Sequence, residues 1–203
     1  MPVTGILGGT FDPVHRGHLS AATQLLLRAG LSEVWLMPNA QPPHRSTPPL
    51  ASPQDRLQMV RLATANVGGL SACTLEVERG GPSYTIDSLR QLRRLEPNRP
   101  LRLLVGSDAA LQIQAWHEAE ALLSEASFVI FSRPQVRFDP GQLELIGFPA
   151  ERTQVVTLET PAISARMVRE RLGSGEPVND LLTPEVTDYI RDRGLYRPRA
   201  RMG

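Results

Sequence analysis

Two histidines, His15 and His18, stand three residues apart in the stretch Gly8-Gly9-Thr10-Phe11-Asp12-Pro13-Val14-His15-Arg16-Gly17-His18. Near the start of a helix, positions i and i+3 share a face, so both imidazoles can reach one anion. Such a pair is open to four readings: part of a metal site, a helix cap, plain surface groups, or a phosphate contact. No carboxylate follows at helical spacing to complete a metal triad. The glycines favour phosphate. Gly8 and Gly9 permit a tight turn with close backbone approach, and Thr10 adds a hydroxyl donor. The apolar run 3–7 before this stretch reads as a buried strand, and the apolar-periodic run 19–29 after it reads as a helix. A Gly-rich turn between a strand and a helix is where an α/β protein brings backbone N–H groups and a positive dipole end to a phosphate.

The composition narrows the chemistry further. All 22 basic residues are arginine. A Schiff-base lysine and a P-loop lysine are therefore absent, and cationic contact to phosphate must come from Arg or His. The single cysteine, Cys73, excludes an internal disulfide and a cysteine-based zinc site, and its alternating surroundings suit a half-buried structural thiol. With 203 residues, 41% hydrophobic and 21% charged, residues 1–203 read as one domain with a substantial core. A formal net charge of +1 supplies no strong field for nucleic acid or an anionic membrane. No leader pattern and no bilayer-length apolar run is visible, and a cytoplasmic protein is expected. The oligomeric state is not legible; a homo-oligomer is compatible with the chain.

The elements that position these residues follow in order. After the first strand (3–7), a turn (8–13) and a helix to about residue 28, Gly30 provides a stop. A second strand at 33–37 completes a βαβ unit with a right-handed crossover. A Pro-rich loop at 38–50 is longer than a plain connector. Ser52-Pro53 caps a helix to about residue 66, and the alternation at 71–78 predicts a third strand. A helix at 84–95, a strand at 101–105 ended by Gly106-Ser107-Asp108, a helical stretch carrying Trp116 and His117 to residue 123, and a strand at 128–131 come next. Residues 135–152 show little periodicity. A strand at 154–158 and helices at 163–172 and 183–192 close the chain, with residues 197–203 as a tail. Alternation of strands and helices predicts an α/β fold, a doubly wound, mostly parallel sheet with helices on both faces. In such a sheet the turn at 8–18, the loop at 39–45 and the turn at 106–108 all lie at strand carboxyl ends and face one cleft.

Residues 9–18 resemble the phosphate-binding motif of the HxGH nucleotidyltransferase superfamily, whose members share a Rossmann-like fold and transfer a nucleotidyl group from a nucleoside triphosphate. Further stretches, in order along the chain, resemble bacterial nicotinate-nucleotide adenylyltransferases. These are Pro38-Asn39 with Pro42-Pro43-His44-Arg45, Gly81-Pro82-Ser83-Tyr84-Thr85, and Gly106-Ser107-Asp108 with Trp116-His117. Ser132-Arg133-Pro134 and Tyr189-Ile190-Arg191 with Leu195-Tyr196 are similar to that family as well.

The resemblance implies that a phosphate oxygen of nicotinic acid mononucleotide attacks the α-phosphate of ATP, giving nicotinic acid adenine dinucleotide and pyrophosphate. That nucleophile is already ionised, so positioning and charge neutralisation are needed rather than a general base. By the same resemblance His18 stabilises the α-phosphate and His15 touches the ATP phosphates from the same face. Gly8, Gly9, Thr10, Phe11, Gly106, Asp108, Ser164 and Arg169 complete the ATP site, to which the helices from about residue 163 contribute. Asn39, His44, Arg45, Tyr84, Thr85, Asp108, Trp116 and Arg133 are implied to bind the mononucleotide. Trp116 would stack on the pyridine ring, Asp108 would bond a ribose, and N–H groups at Tyr84 and Thr85 would favour a carboxylate over a carboxamide. Mg²⁺ would enter with ATP, held mainly by phosphates and water, so no protein metal ligand is assigned. Two departures stand out. Arg45 replaces a common lysine, and the stretch Ile163-Ser164-Ala165-Arg166-Met167-Val168-Arg169 replaces the usual Ile-Ser-Ser-Thr-x-Ile-Arg, which removes a hydroxyl pair. Transfer to another acceptor such as phosphopantetheine, or cytidylyl transfer to an alcohol phosphate, is the alternative, against which Trp116 and Tyr84-Thr85 speak.

Overall fold

In chain order the structure, a computed structural model that describes residues 2–43, 47–132 and 138–197, runs as follows. Strand β1 (Thr4–Gly9) leads to α1 (Arg16–Arg28), β2 (Glu33–Pro38), α2 (Pro53–Thr64) and β3 (Leu70–Ala72). Helices α3 (Leu75–Arg79) and α4 (Thr85–Leu95) precede β4 (Leu101–Gly106). Next come α5 (Ser107–Ala110), a 3₁₀ turn (Ile113–Ala115), α6 (Ala119–Glu125) and β5 (Phe128–Ser132). Helix α7 (Gly141–Leu145), β6 (Thr153–Thr157), α8 (Ala165–Ser174) and α9 (Pro184–Arg193) complete the chain.

The strands form one parallel sheet in the order β3-β2-β1-β4-β5-β6. Adjacent strand residues point to opposite faces, and the core divides accordingly. Leu7, Leu36, Leu104 and Val129 bury one face against α1, α2, α8 and α9 through Leu25, Val60, Val168 and Ile190. Ile6, Met37, Leu103 and Ile130 bury the other against α4 and α6 through Ile86, Leu89 and Leu122. A sheet covered on both faces must be largely apolar on both, which explains the apolar runs of β1 and β5 and of β4 after Arg102. Each fully buried Leu or Ile contributes about 1.5–3 kcal/mol of transfer free energy.

The doubly wound α/β architecture is as expected, and three local readings are corrected. Gly8 and Gly9 belong to β1, paired with Met37 and Pro38, so the turn itself is residues 10–15. The expected strand at 71–78 is a three-residue strand followed by α3, because Leu75 and Glu76 are both buried and Ser88 gives the Glu76 carboxylate a partner. Alternation over Cys73, Leu75 and Val77 imitated a strand, while Leu-Glu-Val-Glu-Arg is good helix sequence. The expected helix through Trp116 is broken. Trp116 is extended, and Glu118 takes a left-handed backbone (φ 49°) before α6 begins.

Candidate active site

The order of strands reverses between β1 and β4, and that switch point is where a parallel sheet leaves a crevice. A cavity of about 290 Å³ lies there. Gly8, Gly9 and Thr10 form its wall from β1, and Val105 and Gly106 from β4. Asn39 after β2, Tyr84 and Thr85 at the start of α4, and Trp116 with His117 close the remaining sides.

The turn after β1 is shaped by packing around glycines. Phe11 is buried, with a left-handed backbone (φ 50°), and its ring lies over Gly9, where an added Cβ would come within 2.9 Å of the ring. The same ring meets His18 edge-on, centroids 5.0 Å apart. His15 is the N-cap residue of α1, and its N–H donates to His18 Nδ1 at 3.2 Å. The two imidazoles stack with centroids 3.7 Å apart. A Cβ on Gly17 would lie 3.0 Å from His15 Nδ1, which explains the glycine between the histidines.

Two buried charged groups brace this turn, and neither was singled out from the sequence. Asp12, 3% exposed, accepts from the backbone N–H groups of Leu50 (2.9 Å) and Ala51 (3.1 Å) and from the Tyr196 hydroxyl (2.7 Å). Its own carbonyl accepts from Arg169 Nη1 at 2.6 Å. Arg56, 0% exposed, donates to the carbonyls of Thr10 (2.8 Å), Ala40 (3.1 Å) and Ala51 (3.4 Å) and to Asn39 Oδ1 (3.1 Å). The signal for Arg56 was a lone cation in the apolar stripe that α2 presents through Val60 and Ala63.

On the opposite wall, Tyr84 and His117 stack at 4.1 Å. Glu76, 5% exposed, also lines the cavity, and its carboxylate accepts from the Ser88 hydroxyl. Burial pushes its carboxyl above the ordinary range, against the hydroxyls of Ser88 and Ser83 and the charge of Arg79, which pull it down. Ser83 Oγ in turn accepts from the N–H of Ala40 at 2.9 Å, joining the start of α4 to the loop after β2.

A cytidylyltransferase-like family profile matches residues 6–171. The Pseudomonas putida (strain GB-1) protein named "Probable nicotinate-nucleotide adenylyltransferase" is 42% identical over 95% of this chain and 94% of its own. A protein of the same name from Geobacillus kaustophilus is 37% identical over 96% of this chain and 86% of its own. The chain belongs to the nicotinate-nucleotide adenylyltransferase family. Among solved structures, the Plasmodium falciparum nicotinic acid mononucleotide adenylyltransferase complexed with NaAD shares the fold (TM-score 0.79, 24% identity, 97% of this chain and 98% of that one).

Within this member of the adenylyltransferase family, the cavity gathers Gly8, Gly9, Thr10, Asn39, Tyr84, Thr85, Gly106 and Trp116 from the expected site residues. Phe11, His15 and His18 lie next to it through the Phe11 ring on Gly9. Asp108 is exposed in the first turn of α5, folded back so that a Cβ on Gly106 would meet its Oδ1 at 2.8 Å. Ser164 caps α8, accepting from the N–H of Met167 at 3.1 Å, and Ile163 packs beside Gly17. Arg166 points to solvent and pairs with Glu170 at 2.8 Å. His44, Arg45 and Arg133 lie outside the described residues. Among the described residues no cluster of three or more His, Cys, Asp or Glu could hold a metal ion, and no helix is long and apolar enough to cross a membrane.

Proposed function

We infer that this chain transfers the adenylyl group of ATP to nicotinic acid mononucleotide, a step of NAD biosynthesis, in the cytoplasm. The observation that carries this is near-full-length identity of 42% to a relative so named, joined to a cavity at the switch point between a paired-histidine turn and an aromatic wall. In the reaction, a phosphate oxygen of the mononucleotide forms a bond to the α-phosphorus of ATP while the bond from that phosphorus to pyrophosphate breaks. No proton needs to move. The protein's work is to hold two anions in line and to offer donors to the oxygens that gain charge.

The N–H bond that His18 Nδ1 accepts leaves Nε2 as the protonated atom of the neutral ring, and this supports His18 as a donor to the α-phosphate. His15, buried and stacked on it, holds that ring in place and faces the ATP phosphates. Gly8, Gly9, Thr10 and Gly106 line the side assigned to ATP, with the capped start of α8 at Ser164 beside α1. On the other side, Trp116, Tyr84 and Thr85 form a slot for the pyridine ring and its carboxylate. Mg²⁺ supplies charge neutralisation when it arrives on the triphosphate. Asp12 accepts three hydrogen bonds and faces Arg169 at 3.9 Å, which supports an ion held mainly by phosphate oxygens and water rather than by this carboxylate.

The test is pyrophosphate release from Mg²⁺-ATP with nicotinic acid mononucleotide, nicotinamide mononucleotide and phosphopantetheine in parallel. Preference for the acid mononucleotide, abolished in His18→Ala, is the expected result. Preference for phosphopantetheine would overturn the acceptor assignment.

A further inference from the structure

Arg56 holds a position that family membership alone does not explain. It is a fully buried cation whose guanidinium reaches three separate chain segments: the turn after β1 at Thr10, the loop after β2 at Asn39 and Ala40, and the entrance to α2 at Ala51. Guanidinium is a donor only, so the Asn39 side-chain atom facing Arg56 Nη1 at 3.1 Å must be the amide oxygen. The orientation of that amide is thereby determined. Its nitrogen faces Thr10 and donates to Oγ1 at 3.4 Å. The Asn39 backbone N–H is also committed, to the Gly9 carbonyl at 3.0 Å. With Oγ1 accepting, the Thr10 hydroxyl proton and the second Asn39 N–H are the donors left over, and both residues line the cavity.

We propose that Arg56 is a positioning residue that acts through Asn39, fixing Asn39 and Thr10 as a paired donor set for a phosphoryl oxygen in the cavity. The relay runs from a buried cation through an amide to a hydroxyl, each bond polarising the next. Without Arg56 the amide could turn its oxygen toward the cavity and repel the phosphate. This deepens the adenylyltransferase reading and rests on it. The phosphoryl oxygen belongs either to ATP or to the mononucleotide, and the two are separated by measuring KM for each.

The deciding variant is Asn39→Asp. An aspartate still accepts from Arg56, so the fold is retained, but the donor becomes an anion. We expect a melting temperature close to wild type and a rise of at least tenfold in KM for one substrate, which identifies whose phosphate is held. Both KM values within twofold of wild type would overturn the proposal. A second arm is a double-mutant cycle. Arg56→Lys should lower kcat/KM on its own but cost less than twofold further in an Asn39→Ala background, because its effect travels through Asn39. Independent, additive losses would overturn the relay. Wild type is assayed alongside, and calorimetric titration of Asn39→Asp with ATP and with the mononucleotide reads binding without turnover. An inactive wild type therefore counts against the adenylyltransferase reading, whereas unchanged binding of both nucleotides by Asn39→Asp counts against the relay.

Discussion

The backbone N–H of His15 donates to Nδ1 of His18, and the same two residues stack ring on ring at 3.7 Å. One residue thus sets both the tautomer and the orientation of the other. A neutral His18 so held carries its proton on Nε2 and is an N–H donor before any substrate arrives. Such preorganisation avoids reorientation as charge develops on the α-phosphate.

Replacing His18 by Ala should therefore lower kcat by about 10²–10³, the usual cost of losing one donor to a transition-state oxyanion. His18→Gln should retain at least about tenfold more activity than Ala, because its amide N–H can approach the place of Nε2. Pyrophosphate release at saturating substrates reads both. Equal activity of the two variants would remove the donor role.

Gly17 offers a case where stability and activity should part. In an ordinary helix, Gly→Ala is stabilising by up to about 1 kcal/mol. Here the new methyl would sit 3.0 Å from His15 Nδ1 and 3.2 Å from its Cε1, so the His15 ring must shift by a few tenths of an ångström, and His18 with it. Gly17→Ala should melt at or near the wild-type temperature yet lose about tenfold in kcat/KM, since small misplacement of reacting groups is costly. Wild-type kcat/KM in a normally folded variant would count against this packing argument.

How far the sequence led differs by kind of residue. Elements with strong apolar runs, such as β1 and β4, and the histidine turn with its glycines, were legible because burial on both sheet faces and close backbone approach leave local marks. Asp12 was visible only as part of a motif. Its role depends on Tyr196, 184 residues away, and on N–H groups of Leu50 and Ala51 that carry no side-chain signature. Glu76 was hidden for a related reason. A carboxylate in an alternating run reads as a solvated strand position until Ser88 is known to meet it. The left-handed backbone at Phe11 and Glu118 escaped notice because neither is a residue type that favours it.

The link between Tyr196 and Asp12 ties the end of the chain to the turn at its start. Burial, with the charge of Asp12 beside it, pushes the Tyr196 phenol far above the usual range, so it stays a donor at all working pH values. Tyr196→Phe leaves a buried carboxylate one donor short, at a cost of about 1–3 kcal/mol. For a chain of this size that lowers the melting temperature by roughly 2–4 °C per kcal/mol. KM for ATP should rise as the turn loosens. Tyr189→Phe removes a similar bond to the less deeply buried Asp55 and should cost less. Calorimetric melts of the two variants test the order, and an equal or larger loss in Tyr189→Phe would refute it.

Glu76 gives a pH dependence of defined sign. Its carboxyl is raised above the ordinary value of 4.5, chiefly by burial, so the folded protein holds that proton to higher pH than the unfolded chain does. Stability from this group is fully present below 4.5 and is lost as pH rises through the raised value. Asp55 works in the opposite sense. Burial raises its carboxyl, but the hydroxyls of Ser52 and Tyr189 and the Arg193 cation outweigh that and leave it lowered, so its contribution is lost as pH falls. The total curve mixes both slopes, and the informative quantity is a difference. Glu76→Gln cannot ionise, so its stability relative to wild type should increase steadily from pH 4.5 upward and level off once the wild-type carboxyl is ionised. Urea midpoints for both proteins across pH 4.5 to about 8 measure this. A flat difference across that window would mean that Glu76 is ionised throughout and that its hydroxyl partners outweigh burial.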